Sequence, residues 1–280
     1  MTPWRRVTVV LACLLALPAI ALADGGTLDR IAARGTMVMA VDAAYPPFSF
    51  LQADGQLDGF DIDVARDIAR RLGARLETVT PAWDVITAGH WQQRWDICVS
   101  SMMPTKARRE VLDFPAIYYY APAVIVVHQD NGDVRQAKDL DGKRIGVEAA
   151  SSYERYLDRK LAIDAPGAPP LAFQIAGAKT VSYESEVVAL ADLAEGNGVR
   201  LDAVIGGYLA AAARMRAGDP LKIVGKPLFV EPIAIAVDKG DPAFGARIAE
   251  IVAAMRSDGT LRRLSLKWLD ADVTTPTPGS

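Results

Sequence analysis

Short apolar segments alternate with amphipathic segments along residues 27–269. Apolar and β-branched segments predict buried strands, and apolar residues spaced three or four apart predict helices that pack one face on the core. The predicted strands are Thr36–Val41, Arg75–Val79, Ile97–Val99, Ala121–His128, Lys143–Glu148, Phe173–Ile175, Arg200–Ile205 and Leu228–Val237. The predicted helices begin near Leu28, Asp63, Trp83, Thr105, Ser152, Ser182, Tyr208 and Ser257. This alternation is typical of an α/β protein.

Polar and helix-breaking residues define the ends of these helices. Gly73 ends the helix that begins near Asp63, and we interpret Asp61 and Asp63 as caps of that helix rather than as metal ligands. The helix that follows Pro81 is predicted to include Val85 through Arg94.

One stretch combines a strand with residues that suit a ligand site. After the apolar strand Ile97–Val99 come Ser100 and Ser101, and then Thr105, which can cap a following helix so that Arg108 falls in its first turn. The carboxyl end of a strand is where α/β sheets usually bind ligands. A lone turn serine is more often a local cap, and a lone arginine is more often solvated. The combination favours a carboxylate site.

The first 23 residues differ from the rest of the chain. Arg5 and Arg6 precede an apolar run that ends in Ala21-Leu22-Ala23, which predicts a secretory signal cleaved after Ala23. A membrane anchor is the weaker interpretation, because Pro18 interrupts a run already short for a span. Cys13 lies inside the run and not at the cleavage point, so a lipoprotein signal is not favoured.

Composition excludes several classes of function. The 280 residues are 51% hydrophobic and 23% charged, which is enough to form a core. After removal of the signal, 29 basic and 34 acidic residues remain, a net charge of −5 that argues against a nucleic-acid partner. Cys98 would be the only cysteine left, and its apolar neighbours favour a core thiol over a nucleophile. His90 and His128 have no spaced partners, so we predict no metal site, catalytic triad or cofactor.

The stretch from Asp96 to Tyr118 has the pattern D-I-x-x-S-S-x-x-x-T-x-x-R, five residues and then F-x-x-x-Y. This pattern resembles the signature of the periplasmic solute-binding proteins of polar amino-acid ABC transporters, the bacterial extracellular solute-binding protein family 3. The segment GFDIDVARDIARRLG also matches this family's first crossover helix, and the resemblance extends over residues 27–269.

The resemblance implies a two-lobed periplasmic-binding-protein-like (type II) α/β fold with a two-segment hinge. The first lobe would comprise residues 24–120 and 231–272, and the second lobe residues 121–230. The chain would cross between lobes near Tyr120–Ala123 and Val230–Ile233. Residues 273–280 are expected to form a disordered tail.

The resemblance also assigns roles to individual residues. Arg108 would bind a ligand carboxylate, assisted by hydroxyl and N–H groups of two turns, and two aromatic rings would pack on the rest of the ligand. The hydroxyl residues are Ser100, Ser101, Ser151 and Ser152, and the aromatic residues are Tyr45, held by Pro46 and Pro47, and Trp83.

Three positions depart from the family pattern. Gly207 stands where an aspartate or glutamate usually pairs with the ligand α-ammonium, Met103 stands where a serine or threonine is common, and Glu148 stands at an often apolar place. Because a buried ammonium without a partner is unstable, either another carboxylate replaces the missing one or the ligand has no ammonium. We hypothesise that Glu148 or Asp42 is the replacement.

These observations predict a periplasmic component of an ABC transporter. It would capture an amino acid or related small carboxylate by hinge closure, and a membrane permease would recognise the closed form. We expect a monomer. One alternative is a dehydratase-like periplasmic enzyme acting on a cyclic carboxylic acid, for which Glu148 is the one unpaired acid–base candidate. Another alternative is a ligand sensor for a separate receptor.

Overall fold

The computed structural model describes residues 25–276, so the predicted signal segment lies outside the described residues. The strands are β1 (Thr36–Ala40), β2 (Ala44–Tyr45), β3 (Ser49–Leu51), β4 (Leu57–Asp58), β5 (Arg75–Val79), β6 (Ile97–Met102), β7 (Leu112–His128), β8 (Arg144–Glu148), β9 (Lys179–Tyr183), β10 (Ala203–Gly207) and β11 (Leu221–Asp238). The helices are α1 (Thr27–Arg34), α2 (Phe60–Arg71), α3 (Trp83–Thr87), α4 (Ser152–Leu157), α5 (Glu186–Ala194), α6 (Tyr208–Arg216), α7 (Pro242–Ser257) and α8 (Thr260–Leu269).

One sheet runs through the whole molecule in the order β5-β1-β6-β11-β7-β10-β8-β9. At one end, β1 pairs in parallel with β5 and β6, and at the other end β8 pairs in parallel with β9 and β10. The long antiparallel strands β7 and β11 join these two groups. We call the part around β5, β1 and β6 the first lobe and the part around β10, β8 and β9 the second lobe. The observed architecture is the expected α/β fold with two lobes.

The two segments predicted to form the hinge are hydrogen-bonded neighbours in the sheet. Tyr120 pairs with Pro232, and Ala121 pairs with Glu231. A motion between the lobes must therefore bend one two-stranded ribbon. The residues at which the ribbon bends remain a prediction.

Each lobe has helices packed on its sheet. In the first lobe α2 contacts β1, β5 and β6, and it buries Ile62, Val64 and Ile68 at the helical spacing seen in the sequence. In the second lobe α5 contacts β8, β9 and β10. Among the described residues, no helix combines the length and the apolar character needed to cross a membrane.

Two predicted helices are shorter than expected. The segment after Thr105 forms a single 3-10 turn, Arg108–Glu110, because the long strand β7 begins at Leu112. The Thr105 hydroxyl nevertheless accepts a hydrogen bond from the Arg108 N–H at 3.2 Å, as a cap does. Helix α3 ends at Thr87 and does not reach Arg94.

Other differences lie in the second half of the chain. Phe173–Ile175 is not a strand, and the strand on the outer side of β8 is β9. Helix α7 was not predicted. Val273 and Thr274, which the sequence assigned to a disordered tail, are hydrogen-bonded: the Tyr120 N–H donates to the Val273 carbonyl at 2.8 Å, and Arg256 donates to the Thr274 carbonyl. The packed chain therefore continues to Thr274.

Candidate functional site

A cavity with an empty volume of about 410 Å³ lies between the two lobes. Ligand-binding clefts commonly lie where two parts of a protein meet, so this cavity is a candidate ligand site. It is lined by Asp42, Tyr45, Trp83, Ser100, Ser101, Met103, Arg108, Glu148, Ser151, Ser152, Tyr153, Glu186 and Glu231. The structure thus brings together the predicted site residues except Gly207, which lies beside the hydroxyl groups of two lining residues, Tyr45 and Tyr153. Their contact with a ligand remains a prediction.

Arg108 is held rigidly at the first-lobe wall. Its guanidinium donates to the Met103 carbonyl at 3.0 Å and, across the cavity, to the Ala150 carbonyl of the second lobe at 3.0 Å. It also lies over the Trp83 ring, 5.4 Å from its centroid. Burial lowers the pKa of Arg108 to about 10, so the group stays charged at neutral pH. A guanidinium has five N–H donors, and those not used here can bind a carboxylate.

Asp61 supports the serine turn from below. Its two carboxylate oxygens accept hydrogen bonds from the Tyr118 hydroxyl at 2.7 Å and from the Ser101 hydroxyl at 2.8 Å. Tyr119 donates its hydroxyl to Ser101 at 2.7 Å. The Ser101 hydroxyl therefore donates to Asp61 and accepts from Tyr119, which fixes its position at the cavity wall. Burial raises the pKa of Asp61 to about 7.

The interpretation of Asp61 and Asp63 as helix caps is wrong. Gly59 occupies the N-cap of α2, and neither carboxylate caps it. Asp63 instead accepts hydrogen bonds from Lys267 at 2.6 Å and from Trp268 at 2.8 Å. The two acidic residues face opposite surroundings because they are two positions apart on a helix.

Ser100 links the first two strands of the site. Its hydroxyl oxygen accepts a hydrogen bond from the Asp42 N–H at 2.9 Å. This contact joins the end of β1 to β6 and places Asp42 on the cavity. The Asp42 carboxylate accepts from the Ala44 N–H at 2.8 Å. Burial raises the pKa of Asp42 above its ordinary value.

The second-lobe wall begins at the end of β8. Ser151 caps α4, because its hydroxyl accepts from the Glu154 N–H at 3.2 Å. Ser152 and Tyr153 both donate their hydroxyls, each at 2.7 Å, to the two carboxylate oxygens of Glu231. Glu231 belongs to β11 beside the predicted hinge, so this contact connects the ribbon to the turn that lines the cavity.

Glu186 occupies the space that Gly206 and Gly207 leave open. Its carboxylate accepts the Gly207 N–H at 3.2 Å and 3.3 Å to its two oxygens. A Cβ atom at Gly206 would lie 2.4 Å from a Glu186 oxygen, and a Cβ atom at Gly207 would lie 2.5 Å from the Tyr45 hydroxyl. Two consecutive glycines are therefore needed at the end of β10 to admit Glu186 and Tyr45.

The carboxyl groups around the cavity disfavour each other's ionisation. Burial, together with Asp42 and Glu186, raises the pKa of Glu148 well above its ordinary value. Burial, with a contribution from Glu231, raises the pKa of Glu186 to about 8. The Oε1 atom of Glu148 is buried and has no hydrogen-bond partner among residues 25–276. A buried acceptor without a partner is costly, which marks Glu148 as a place for a donor.

The sequence analysis missed Glu186 and Glu231 as cavity residues. Glu231 carried a usable signal, because it is a lone charge within the apolar segment LFVEPIAIAV, and buried charges need partners. Glu186 carried none, since an acidic residue in the first turn of a helix is ordinary and usually solvated.

The two lobes also touch at the rim of the cavity. Residues 104–109 of the first lobe and 162–164 of the second form what we call the rim bridge. Lys106 N–H donates to the Ala162 carbonyl at 2.9 Å, and Asp164 N–H donates to the Pro104 carbonyl at 3.1 Å. Arg109 forms an ion pair with Asp164 at 3.4 Å. The lobes are thus in contact on the same segment that carries Arg108.

The cavity offers acid–base groups but little else for catalysis. Cys98 is buried beneath it, and burial raises the pKa of its thiol far above the ordinary range, so the thiolate needed by a nucleophile does not form at neutral pH. Among residues 25–276, no cluster of three or more His, Cys, Asp or Glu side chains has metal-site geometry.

Comparison with known proteins gives the site a context. The model of the family "Bacterial extracellular solute-binding proteins, family 3" matches residues 37–271. The chain belongs to this family. The L-cystine-binding protein TcyJ of Escherichia coli (strain K12) is 30% identical to this solute-binding protein over 254 residues, which cover 90% of this chain and 89% of that protein.

Solved structures show the same fold. The ancestral amino acid-binding protein AncCDT-1, a precursor of cyclohexadienyl dehydratase, is 30% identical with a TM-score of 0.76, over 87% of this chain and 99% of that one. An ancestral arginine-binding protein bound to arginine is 31% identical with a TM-score of 0.73, over 84% of this chain and 98% of that one. The solute-binding protein therefore has the two-lobed fold of periplasmic amino-acid-binding proteins.

Proposed function

We propose that this solute-binding protein is exported to the periplasm, captures a free amino acid between its lobes and presents it to the membrane permease of an ABC transporter. The observation that carries the proposal is the buried guanidinium of Arg108, which lines an inter-lobe cavity and is fixed by carbonyl groups from both lobes. Relatives named for binding cystine and arginine support the choice of an amino acid.

Binding and closure are coupled through the groups on the two walls. The α-carboxylate binds Arg108 and the nearby serine turns, while Tyr45 and Trp83 cover the apolar part of the ligand. A ligand that contacts both walls stabilises the closed arrangement, because those contacts form together only when the lobes meet. The permease then distinguishes the closed form from the open one. The protein acts as a monomer in this scheme.

The first test is a ligand screen on the purified chain without residues 1–23. Thermal shift and calorimetry would compare α-amino acids, their deaminated carboxylic analogues and polyamines. Saturation at a thousand times the dissociation constant adds about 4 kcal/mol of apparent stability, which is easily detected. We expect α-amino acids to stabilise the protein and deaminated analogues to fail. Stabilisation by carboxylates without an amine, and not by amino acids, would overturn the proposal.

Export has its own test. Expression of the full chain in a Gram-negative host, followed by mass spectrometry of the osmotic-shock fraction, should give a product that begins at Asp24. Retention of residues 1–23 in a cytoplasmic product would contradict export.

A second candidate is an enzyme on the same fold. The observation that favours it is the pair of buried carboxyl groups, Glu148 and Glu186, whose raised pKa values suit a general acid at neutral pH. AncCDT-1 is described as the precursor of a dehydratase, which keeps this candidate in view. The test is incubation of the purified protein with cyclic carboxylic acids and detection of product by mass spectrometry. The transport proposal expects binding without turnover.

A further inference from the structure

The cavity contains more negative than positive groups. Asp42, Glu148, Glu186 and Glu231 line it with Arg108 as the one cationic side chain among its described lining residues. With every group ionised, the lining would carry a net charge of −3. A zwitterion with one ammonium and one carboxylate would leave that imbalance unchanged. A ligand with a second positive group would reduce it.

Protein hydrogen bonds already satisfy one of these carboxylates. Both oxygens of Glu231 accept hydroxyl groups of the second lobe, so Glu231 serves the protein's own structure. Asp61, behind the cavity, is likewise occupied by Tyr118 and Ser101. Both oxygens of each group are engaged by hydroxyl donors of the protein, which leaves fewer acceptor positions for a ligand.

Glu148 and Glu186 accept fewer hydrogen bonds from the protein than Glu231 and Asp61 do, so they have more acceptor capacity left for a ligand. The Oε1 atom of Glu148 is buried without a partner among the described residues, and its side chain belongs to a residue only 8% exposed. Glu186 receives one N–H group, from Gly207, shared between two oxygens at 3.2 Å and 3.3 Å. A carboxylate accepts about four hydrogen bonds, so both residues can each take a cationic donor.

The position of Glu186 depends on the glycine pair at the end of β10. Side chains at Gly206 or Gly207 would collide with Glu186 or Tyr45. Gly207 thus lacks a carboxylate, and Glu186 of α5 supplies one in the adjoining space. The earlier hypothesis named Glu148 or Asp42 as the replacement; the geometry adds Glu186 to Glu148, and leaves Asp42 opposite them on the first lobe.

We infer that the ligand is an amino acid with a second positively charged group, and that Glu186 and Glu148 each bind one of its two cationic groups while Arg108 binds its carboxylate. This inference rests on the proposed function and narrows its ligand class. Asp42, which raises the pKa of both glutamates through its charge, adds to the attraction for the cations once they are bound.

The ligand series that tests the inference varies one group at a time. Lysine and ornithine have both cationic groups, norleucine lacks the side-chain cation, 6-aminohexanoate lacks the α-ammonium, and cadaverine lacks the carboxylate. Calorimetry should rank lysine or ornithine tightest, with each single deletion weakening binding by about 10- to 100-fold, the value of one charge-assisted hydrogen bond. Norleucine or glutamine binding as tightly as lysine would overturn the inference while leaving the proposed function intact.

Variants of the two glutamates test which cationic group of the ligand each residue binds. Glu186→Gln and Glu148→Gln each keep an acceptor oxygen and remove the charge, so each should weaken lysine binding by about 10- to 100-fold. Each variant should also lose the preference for lysine over one of the two monoamines, which identifies the cation that its residue binds. Glu184→Gln, on the exposed surface just before α5, is the matched control and should leave binding unchanged. Full lysine affinity in both cavity variants would overturn the inference.

Proton release provides a readout that does not depend on variants. Because burial raises the pKa of both glutamates, binding of two cationic groups beside them should release protons. Calorimetry in two buffers of different ionisation enthalpy should detect proton release with lysine and much less with norleucine. Equal proton release with both ligands, or none with either, would contradict the proposed contacts.

Discussion

The two walls of the cavity are built in different ways. The first-lobe wall comes largely from one continuous stretch, residues 95–120, and its polar groups are linked by hydrogen bonds: Asp61 holds Ser101, and carbonyl groups hold Arg108. The second-lobe wall combines β8, α5 and β11, and it leaves a buried oxygen of Glu148 without a partner. In the proposed binding mode, the first wall binds an anionic group and the second wall binds cationic groups.

We expect the second-lobe wall to determine ligand selectivity. A carboxylate is common to all α-amino acids, so the wall that binds it can be preformed and need not discriminate. We expect the carboxylate-rich wall to distinguish ligands, because a buried polar group left without a partner penalises a ligand that does not match it. Changes to the first wall should therefore affect all ligands, and changes to the second wall should affect some more than others.

The largest effect is expected from the first wall. Arg108→Met removes the guanidinium and should weaken every carboxylate-bearing ligand by more than about 30-fold, because removal of one partner of a buried charge pair costs about 2–5 kcal/mol. Calorimetry with lysine would measure the loss, and binding of cadaverine, which has no carboxylate, should change much less. Lys106→Gln, an exposed neighbour in the same segment, is the control. Equal losses for lysine and cadaverine would contradict a specific carboxylate role.

The next effect concerns the glycine pair on the second wall. Gly207→Ala places a Cβ atom 2.5 Å from the Tyr45 hydroxyl, so Tyr45 must shift. Overpacking of this kind destabilises by about 1–3 kcal/mol, and urea unfolding would measure it. Gly245→Ala is the matched control: in α7 its Cβ atom meets no other atom within 4 Å, so the helix should gain about 0.5–1 kcal/mol. An unchanged free energy of unfolding in Gly207→Ala would show that Tyr45 can shift at no cost in stability.

A smaller effect should appear in the pH dependence of stability. The pKa of Asp61 is raised from 3.8 to about 7 and that of Glu186 from 4.5 to about 8 in the folded protein. At a pH between the ordinary pKa and the folded-state pKa of each group, the folded state binds more protons than the unfolded chain. The unfolding free energy of the ligand-free protein should therefore fall as pH rises from 5 to 8.

Urea unfolding at several pH values would measure this slope. Glu186→Gln should reduce the slope between pH 5 and pH 8, and Glu184→Gln should leave it unchanged. Asp63 and Asp241 have lowered pKa values and titrate below this window, so they do not oppose the trend there. A stability that rises from pH 5 to pH 8 would contradict the raised pKa values.

The smallest effect is expected at the rim bridge. Asp164→Asn removes the ion pair with Arg109 but leaves the backbone hydrogen bonds of the bridge in place. Partly exposed ion pairs contribute about 0.2–1 kcal/mol, so ligand release should accelerate by no more than about fivefold in stopped-flow measurements. Asp158→Asn, in an exposed pair with Lys160, should leave release unchanged. A release rate unaffected by Asp164→Asn would place the bridge outside the closure step.

The same contrast explains what the sequence could predict. The strand, the turn and Arg108 follow one another in the chain, so local pattern and family signature locate the first wall. Glu186 reaches the cavity because Gly206, twenty positions later, leaves room for its carboxylate, and no local pattern contains that relation. Asp61 was misassigned for a similar reason: its partners Ser101 and Tyr118 come from other elements.

The prediction of secondary structure was wrong where strand pairing overrides local helix propensity. The charged residues after Thr105 favour a helix, but the pairing of β7 with β11 begins at Leu112 and leaves room for a single turn. The α/β class was predictable because the alternation of strands and helices extends over residues 27–269, whereas the two-lobed arrangement came from the family resemblance.

The segment after α8 is hydrogen-bonded to the ribbon in which the hinge is predicted. Its backbone carbonyl at Val273 accepts the Tyr120 N–H, and Arg256 connects Thr274 to the Ile117 carbonyl of the same ribbon. When the ribbon bends, the chain end must either follow Tyr120 or release it. With the hinge at its predicted place near Tyr120, a fluorophore attached at residue 276 is expected to report opening and closing without any label in the cavity.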